Sequence, residues 1–200
     1  MLRNYSPLPF LSLPPNTGYA QPSQPALERV QLDSPAIDAM TDLTRVTAVI
    51  ILAGDTVDEA HRRMVQRGVR LLLVVDQDRK VLGVITANDV ASEKPVQIAV
   101  QQGLHRDEVL VRSVMQSCAS LRVLDLDVVR AAKVGHIVAT LKQAGRQHAL
   151  VVDRGNNSGT AGMPLRGIFS TTQIVRQLGM TIQTDAVANT FAEIEAQLSR

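Results

Sequence analysis

The sequence predicts an α/β (α+β) fold built twice, as two copies of a small sheet with packing helices. Three observations carry this reading. The stretch Gly83-Val84-Ile85-Thr86-Ala87-Asn88-Asp89 recurs as Gly167-Ile168-Phe169-Ser170-Thr171-Thr172-Gln173, with the Gly, the hydroxyl and the polar residue at the same internal spacing. The run Gly68 to Asp76 recurs as Gly145 to Asp153, each a Gly-ended helix followed by a buried strand that stops at Asp. Val57, Ala60 and Met64, spaced as one face of a helix, recur as Val134, Ile137 and Leu141. Self-similarity of this kind marks an internal duplication.

Taken in order, the chain opens with a Pro-rich extended tail, residues 1–35. It holds seven of the nine prolines, which rules out a helix there and leaves little to bury. Ser34-Pro35 reads as a cap followed by Pro at the first helical position. Repeat 1 with its linker spans residues 36–110 and repeat 2 spans 111–180, each reading strand, helix, strand, hairpin, strand, helix. Ala36 to Thr41 resembles Val111 to Gln116. Repeat 1 turns its hairpin on Gln77-Asp78-Arg79-Lys80, whereas repeat 2 inserts Gly155 to Pro164, the composition of a flexible loop. The last helix of repeat 1 starts after Thr86 and is expected to break near Pro95, leaving Val96 to Leu110 as a partly helical linker. That of repeat 2 includes Ile174, Val175 and Leu178 and meets Gly179. In residues 181–200, Val187, Phe191, Ile194 and Leu198 form the stripe of an amphipathic C-terminal helix.

Composition narrows the function classes. At 45% apolar residues the chain has enough core for two small packed units, and three of its five aromatics lie in the first twenty residues, so any bound base would meet aliphatic walls. The 21 basic and 19 acidic residues are interspersed, which leaves no block to track a phosphate backbone and argues against nucleic acid. No apolar run approaches the ~18 residues of a membrane span, and prolines interrupt the N-terminal apolar residues before a signal-peptide core can form. The single Cys118 precludes an internal disulfide and fits a cytoplasmic protein. His61, His105, His136 and His148 show no metal-ligand spacing, and Ser170 lacks a Gly-x-Ser-x-Gly elbow. No catalytic set emerges, so an enzyme is not expected and no metal is predicted.

The two runs LLLVVDQDRKVLGVITANDV and HALVVDRGNN…LRGIFSTTQIV, preceded by AMTD and SVMQ, resemble a pair of cystathionine-β-synthase-type (CBS) domains over roughly residues 36 to 180. The resemblance implies a Bateman module: two repeats about a pseudo-twofold axis, often paired again into a homodimer, with an adenosine ligand such as AMP or ATP in the clefts between repeats. It implies a regulatory sensor with no obligatory cofactor, AMP, ADP and ATP being the candidate ligands, acting on a separate partner protein. The alternative is a ligand-free CBS scaffold for dimerisation or partner binding. Two departures stand out: Leu73 and Leu150 replace a Pro that the family often has before Val-Val-Asp, and Gln173 replaces the acidic residue that ends the motif in repeat 1.

A Thr at the start of a helix presents its hydroxyl beside the free N–H groups of the first turn, a place that suits a phosphate. Asp89, three residues on, suits a ribose diol, as acidic residues do in dinucleotide folds. The expected nucleotide site therefore comprises Thr86 and Asp89, apolar walls from Ile51, Leu71, Leu72, Val84 and Ile85, and Arg70 as a phosphate contact. A weaker second site comprises His148, Ile168, Ser170 and Gln173, with His148 at the position of Leu71. Both Thr86-x-x-Asp89 and Ser170-x-x-Gln173 also fit the capping box, which needs no ligand. Composition and spacing leave these two readings open.

Overall fold

The computed structural model of the chain describes residues 28–155 and 163–179. The first 27 residues of the expected tail, most of the expected repeat 2 loop and the expected C-terminal helix lie outside that set. In order the elements are β1 (Thr41–Asp42), β2 (Ile50–Leu52), α1 (Val57–Arg67), β3 (Leu71–Val75), β4 (Val81–Thr86), α2 (Ala87–Ala91), α3 (Lys94–Gln102), α4 (Val111–Val114), β5 (Gln116–Ser117), β6 (Val123–Asp125), α5 (Leu126–Arg130), α6 (Val134–Ala144), β7 (His148–Val152), β8 (Leu165–Ser170) and α7 (Thr171–Gln177).

The duplicated helices α1 and α6 form for the reasons their sequences give. Each buries one apolar stripe, Val57, Ala60 and Met64 in α1 and Val134, Ile137 and Leu141 in α6. Thr56 caps α1 by accepting the Glu59 N–H at 3.2 Å, and Asp58 and Glu59 complement the dipole in its first turn. Both helices stop on a left-handed glycine, Gly68 at φ 63° and Gly145 at φ 60°, a conformation that costs a Cβ-bearing residue. One local expectation changes. Ser34 does not cap a helix; its Oγ accepts the Gln31 N–H at 2.8 Å, and Pro35 leads only into a 3-10 turn at Ala36–Ala39. The expected break near Pro95 falls between α2, which ends at Ala91, and α3, which starts at Lys94; Pro95 itself sits in the first turn of α3, where its missing N–H has no intrahelical partner to lose.

The strands form two four-stranded mixed sheets, β2-β3-β4-β5 and β1-β8-β7-β6. In each, a parallel pair (β2 with β3, β6 with β7) is crossed by a helix and followed by an antiparallel hairpin (β3 with β4, β7 with β8). The fourth strand is exchanged. β1, at the start of repeat 1, pairs antiparallel with β8 of repeat 2, and β5, at the start of repeat 2, pairs antiparallel with β4 of repeat 1. The cores follow the same exchange: Ala36, Ala39 and Met40 pack with Val129, Ile137 and Phe169, while Val109, Val111 and Val114 pack with Ile51, Leu72 and Ile85. A third cluster, Leu71, Leu73, Val84 and Leu150, draws on both sheets and joins the repeats. Burying each such side chain is worth about 1.5–3 kcal/mol.

Gly83 is where the exchange is tightest. It lies opposite Ser117 in the register, and a Cβ there would overlap the backbone carbonyl of Gln116. Glycine lets β5 approach β4, and that approach brings the Gln116 side chain to the start of α2.

Candidate functional site

The strand β4 runs through Thr86 into α2, and the junction is a complete capping box. The Asp89 N–H donates to Thr86 Oγ1 at 3.2 Å, the Thr86 N–H donates to Asp89 Oδ2 at 2.8 Å, and the Thr86 hydroxyl donates to the same Oδ2 at 2.6 Å. The exchanged strand adds a further donor, the Gln116 Nε2 amide, 3.3 and 3.4 Å from the two carboxylate oxygens of Asp89. At the equivalent junction of repeat 2 no side-chain cap forms on Ser170. Gln173 instead accepts the hydroxyl of Thr41, the first residue of β1, at 2.9 Å. The two sites thus share a plan, in which the polar residue in the first turn of the last helix meets the leading residue of the exchanged strand. They differ in charge, carboxylate against amide.

Around Asp89 lies a cavity of about 150 Å³ between the repeats. Repeat 1 contributes Leu71, Val84, Thr86, Asn88 and Asp89, and the facing wall includes Leu121, Arg122, Arg146, His148 and Leu150, with Gln116 at its edge. Of the expected site residues, the fold brings Leu71, Val84, Thr86, Asp89 and His148 together here. Ile51, Leu72 and Ile85 lie elsewhere: all three are fully buried among the helices of repeat 1. The reason is the period of two along a strand, which turns Leu71 and Val84 toward repeat 2 and their neighbours Leu72 and Ile85 away from it. Arg70 is exposed and does not line this cavity, but its charge reaches His148. Ile168 and Ser170 are half-buried on β8, and Ile168 packs against the inter-repeat cluster.

The electrostatics differ from those expected at a helix start. α2 has five residues, too few for a substantial macrodipole, and the Thr86 hydroxyl is committed to the cap. Positive charge in the cleft comes instead from Arg122 and Arg146. His148 is the perturbed group. Burial above all, then the Arg70 guanidinium, hold its imidazole down to about 4 against the pull of Asp89, so it is neutral at pH 7. Sequence reasoning missed Gln116, Leu121, Arg122 and Arg146. Arg146 directly follows the helix-ending Gly145 in the register of Val69 beside Arg70, and Gln116 aligns with Thr41, so both carried a repeat signal. Among the described residues no three side chains from His, Cys, Asp and Glu gather as metal ligands do, and no helix is long and apolar enough to cross a membrane.

Comparison with known proteins agrees with this architecture. Residues 33–95 match the model of the CBS domain family. No curated protein sequence matches. Among solved structures, an uncharacterized conserved protein from Pyrococcus horikoshii is 20% identical at a TM-score of 0.53, covering 78% of this chain and 100% of its own. The CBS-domain containing protein ATU1752 from Agrobacterium tumefaciens is 18% identical at a TM-score of 0.53, covering 73% of this chain and 94% of its own. CBSX2, in its crystal structure in complex with AMP, is 18% identical at a TM-score of 0.50, covering 84% of this chain and 99% of its own. At such identities the likeness is one of fold. Repeat 1 is thus matched to the CBS domain in sequence, and the fold of the two repeats together is that of solved CBS-domain structures.

Proposed function

We propose that this CBS pair is a non-catalytic regulatory module that binds an adenosine nucleotide in the cleft at Asp89. The observation that carries the reading is the convergence, in one inter-repeat cleft, of a carboxylate, two arginines and the apolar side chains Leu71, Val84, Leu121 and Leu150. These are the groups a ribose, a phosphate and a base require. The capping box does not compete with this role. A carboxylate offers about four acceptor positions. Both Thr86 donors go to Oδ2, whereas among the described residues Oδ1 receives only the long contact from Gln116, so Oδ1 retains capacity for a ribose hydroxyl. The AMP complex of the structurally similar CBSX2 supports the choice of ligand class. On this reading AMP, ADP or ATP is a ligand rather than a cofactor, and the output goes to a separate partner protein.

Titration calorimetry of the full chain with AMP tests the proposal, with melting temperature as a second readout. Asp89→Asn keeps an acceptor for the cap and removes the charge, and should weaken AMP about tenfold, the difference between charged and neutral hydrogen bonds. Gln173→Ala should leave the affinity within about threefold, since the neutral amide carries less. Absence of saturable heat together with an unchanged melting temperature refutes the nucleotide reading. The scaffold alternative has one observation in its favour, that Asp89 is already hydrogen-bonded within the protein. Its dimerisation form requires a homodimer, and a strictly monomeric protein by light scattering would overturn that form, leaving partner-protein binding.

A further inference from the structure

The Asp89 cleft sets a histidine against a leucine at one position of the duplication. Leu71 opens β3 and lies opposite Thr86, His148 opens β7 and lies opposite Ser170, and both side chains line the same cavity of about 150 Å³. An imidazole there adds a group that can change its charge. Its surroundings are unbalanced. Arg70 comes from the segment before β3, Arg122 from the segment before β6 and Arg146 from the turn after α6, whereas α2 supplies one carboxylate, Asp89. Asn88, Gln116 and Ser170 nearby do not titrate. Among the described residues none of the three arginines has a salt-bridge partner, and Asp89 is engaged by Thr86 and Gln116. Burial, then Arg70, keep the imidazole neutral at pH 7, and a proton on it would add to an excess of positive charge.

A doubly charged phosphate reverses that balance. Held by Arg122 and Arg146, it cancels their field, leaves Asp89 to favour the imidazolium, and offers oxygens to which a charged imidazole can donate a charge-assisted hydrogen bond. We infer that His148 takes up a proton from solvent when a phosphate dianion enters the cleft, and so makes the cleft selective for the doubly charged form of its ligand. The inference rests on the nucleotide reading of the Asp89 cleft. A neutral nucleoside in the same place leaves the arginines uncancelled and the imidazole unprotonated, so the proton reports the phosphate and not the base or the sugar.

Calorimetry of the full chain with AMP and with adenosine at pH 6, each in two buffers of different ionisation enthalpy, counts the protons taken up. With the bound imidazole back at its ordinary value of about 6.5, the wild type should take up about 0.7 proton more per AMP than His148→Gln, and adenosine should draw none through His148. The ratio of wild-type to variant affinity for AMP should grow about threefold from pH 7 to pH 6, because His148 gains its proton in the complex. The variant also subtracts the titration of AMP itself, whose phosphate loses its second proton at about pH 6. The wild-type imidazole resonances give the same answer without a substitution: of the four histidines, one should titrate at about 4 in the free protein and at about 6.5 with AMP. Equal proton uptake in wild type and variant, a histidine midpoint that AMP leaves unmoved, or the same uptake with adenosine overturns the inference while AMP binding stands. Absence of AMP binding removes the nucleotide reading of the cleft and this inference with it.

Discussion

His148 makes a prediction that depends on the site's electrostatics and not on any ligand. Its imidazole is held at about 4 by burial and by Arg70, against about 6.5 in the unfolded chain. Between those values the unfolded state binds more protons than the folded one, so stability must fall as pH falls through 6.5 toward 4. Well above pH 6.5 the group costs nothing, because it is neutral in both states. At pH 5 the unfolded histidine is almost fully charged and the folded one still neutral, which destabilises the fold by about 2 kcal/mol relative to pH 7, rising to about 3 kcal/mol below pH 4. The window separates this effect from the carboxylates. Asp42, pulled down to about 2 by its Arg166 and Thr44 partners, gives stability that is present above pH 3.8 and lost as pH falls toward 2, outside the range used. The assay is urea unfolding at pH 7 and pH 5 for wild type and His148→Gln, which keeps a polar side chain that does not titrate. The wild type should lose about 2 kcal/mol more than the variant over that interval. Equal losses would show that His148 is not the group held neutral in the cleft.

Two further expectations concern the exchanged strands and the cap. Gly83→Ala places a methyl group against the Gln116 carbonyl, which is backbone and cannot swing aside, and should cost about 2–3 kcal/mol; Gly167→Ala meets only the flexible Met40 side chain and should cost about 1 kcal/mol or less by the same chemical denaturation. Equal costs would mean that the close approach of β5 is not enforced. Thr86→Ala removes a cap hydroxyl that both accepts from and donates to Asp89 and should cost about 1–2 kcal/mol, whereas Ser170→Ala, at a residue that makes no cap, should lie within about 0.5 kcal/mol of wild type.

Which parts of this were legible in the sequence follows from what a duplication preserves. The two helix faces, the glycines that end them and the apolar runs of β3 and β7 are local patterns, and each appears where periodicity places it. Leu72 and Ile85 show where the reading slipped: they belong to the right strands, but a run of consecutive apolar residues does not say which parity faces the other repeat. The exchange of β1 and β5 is a long-range pairing of two-residue strands, too short to announce a partner, so Gln116 could not be placed beside Asp89 from its neighbours alone. The arginines of the cleft were hidden for the same reason, since their significance lies in facing the other repeat.

The exchange also determines what a ligand at Asp89 would act on. Gln116 leads the strand that crosses from the linker into repeat 2, and its amide shares the Asp89 carboxylate with any ribose that binds there. A ligand hydroxyl on Oδ1 would share that oxygen with Gln116, whose long contact is made by the segment tying the repeats together. At the opposite junction the tie is Thr41 to Gln173, between two neutral groups, where a ribose would displace one weak hydrogen bond for another. Of the two junctions, only the Asp89 side would pair a charge-assisted ligand contact with a bond to the connecting strand. On the proposed reading the asymmetry between Asp89 and Gln173 therefore concerns transmission as well as affinity: occupancy of the first site would bear on how β5 is held, and the second would offer little free energy with which to change β1.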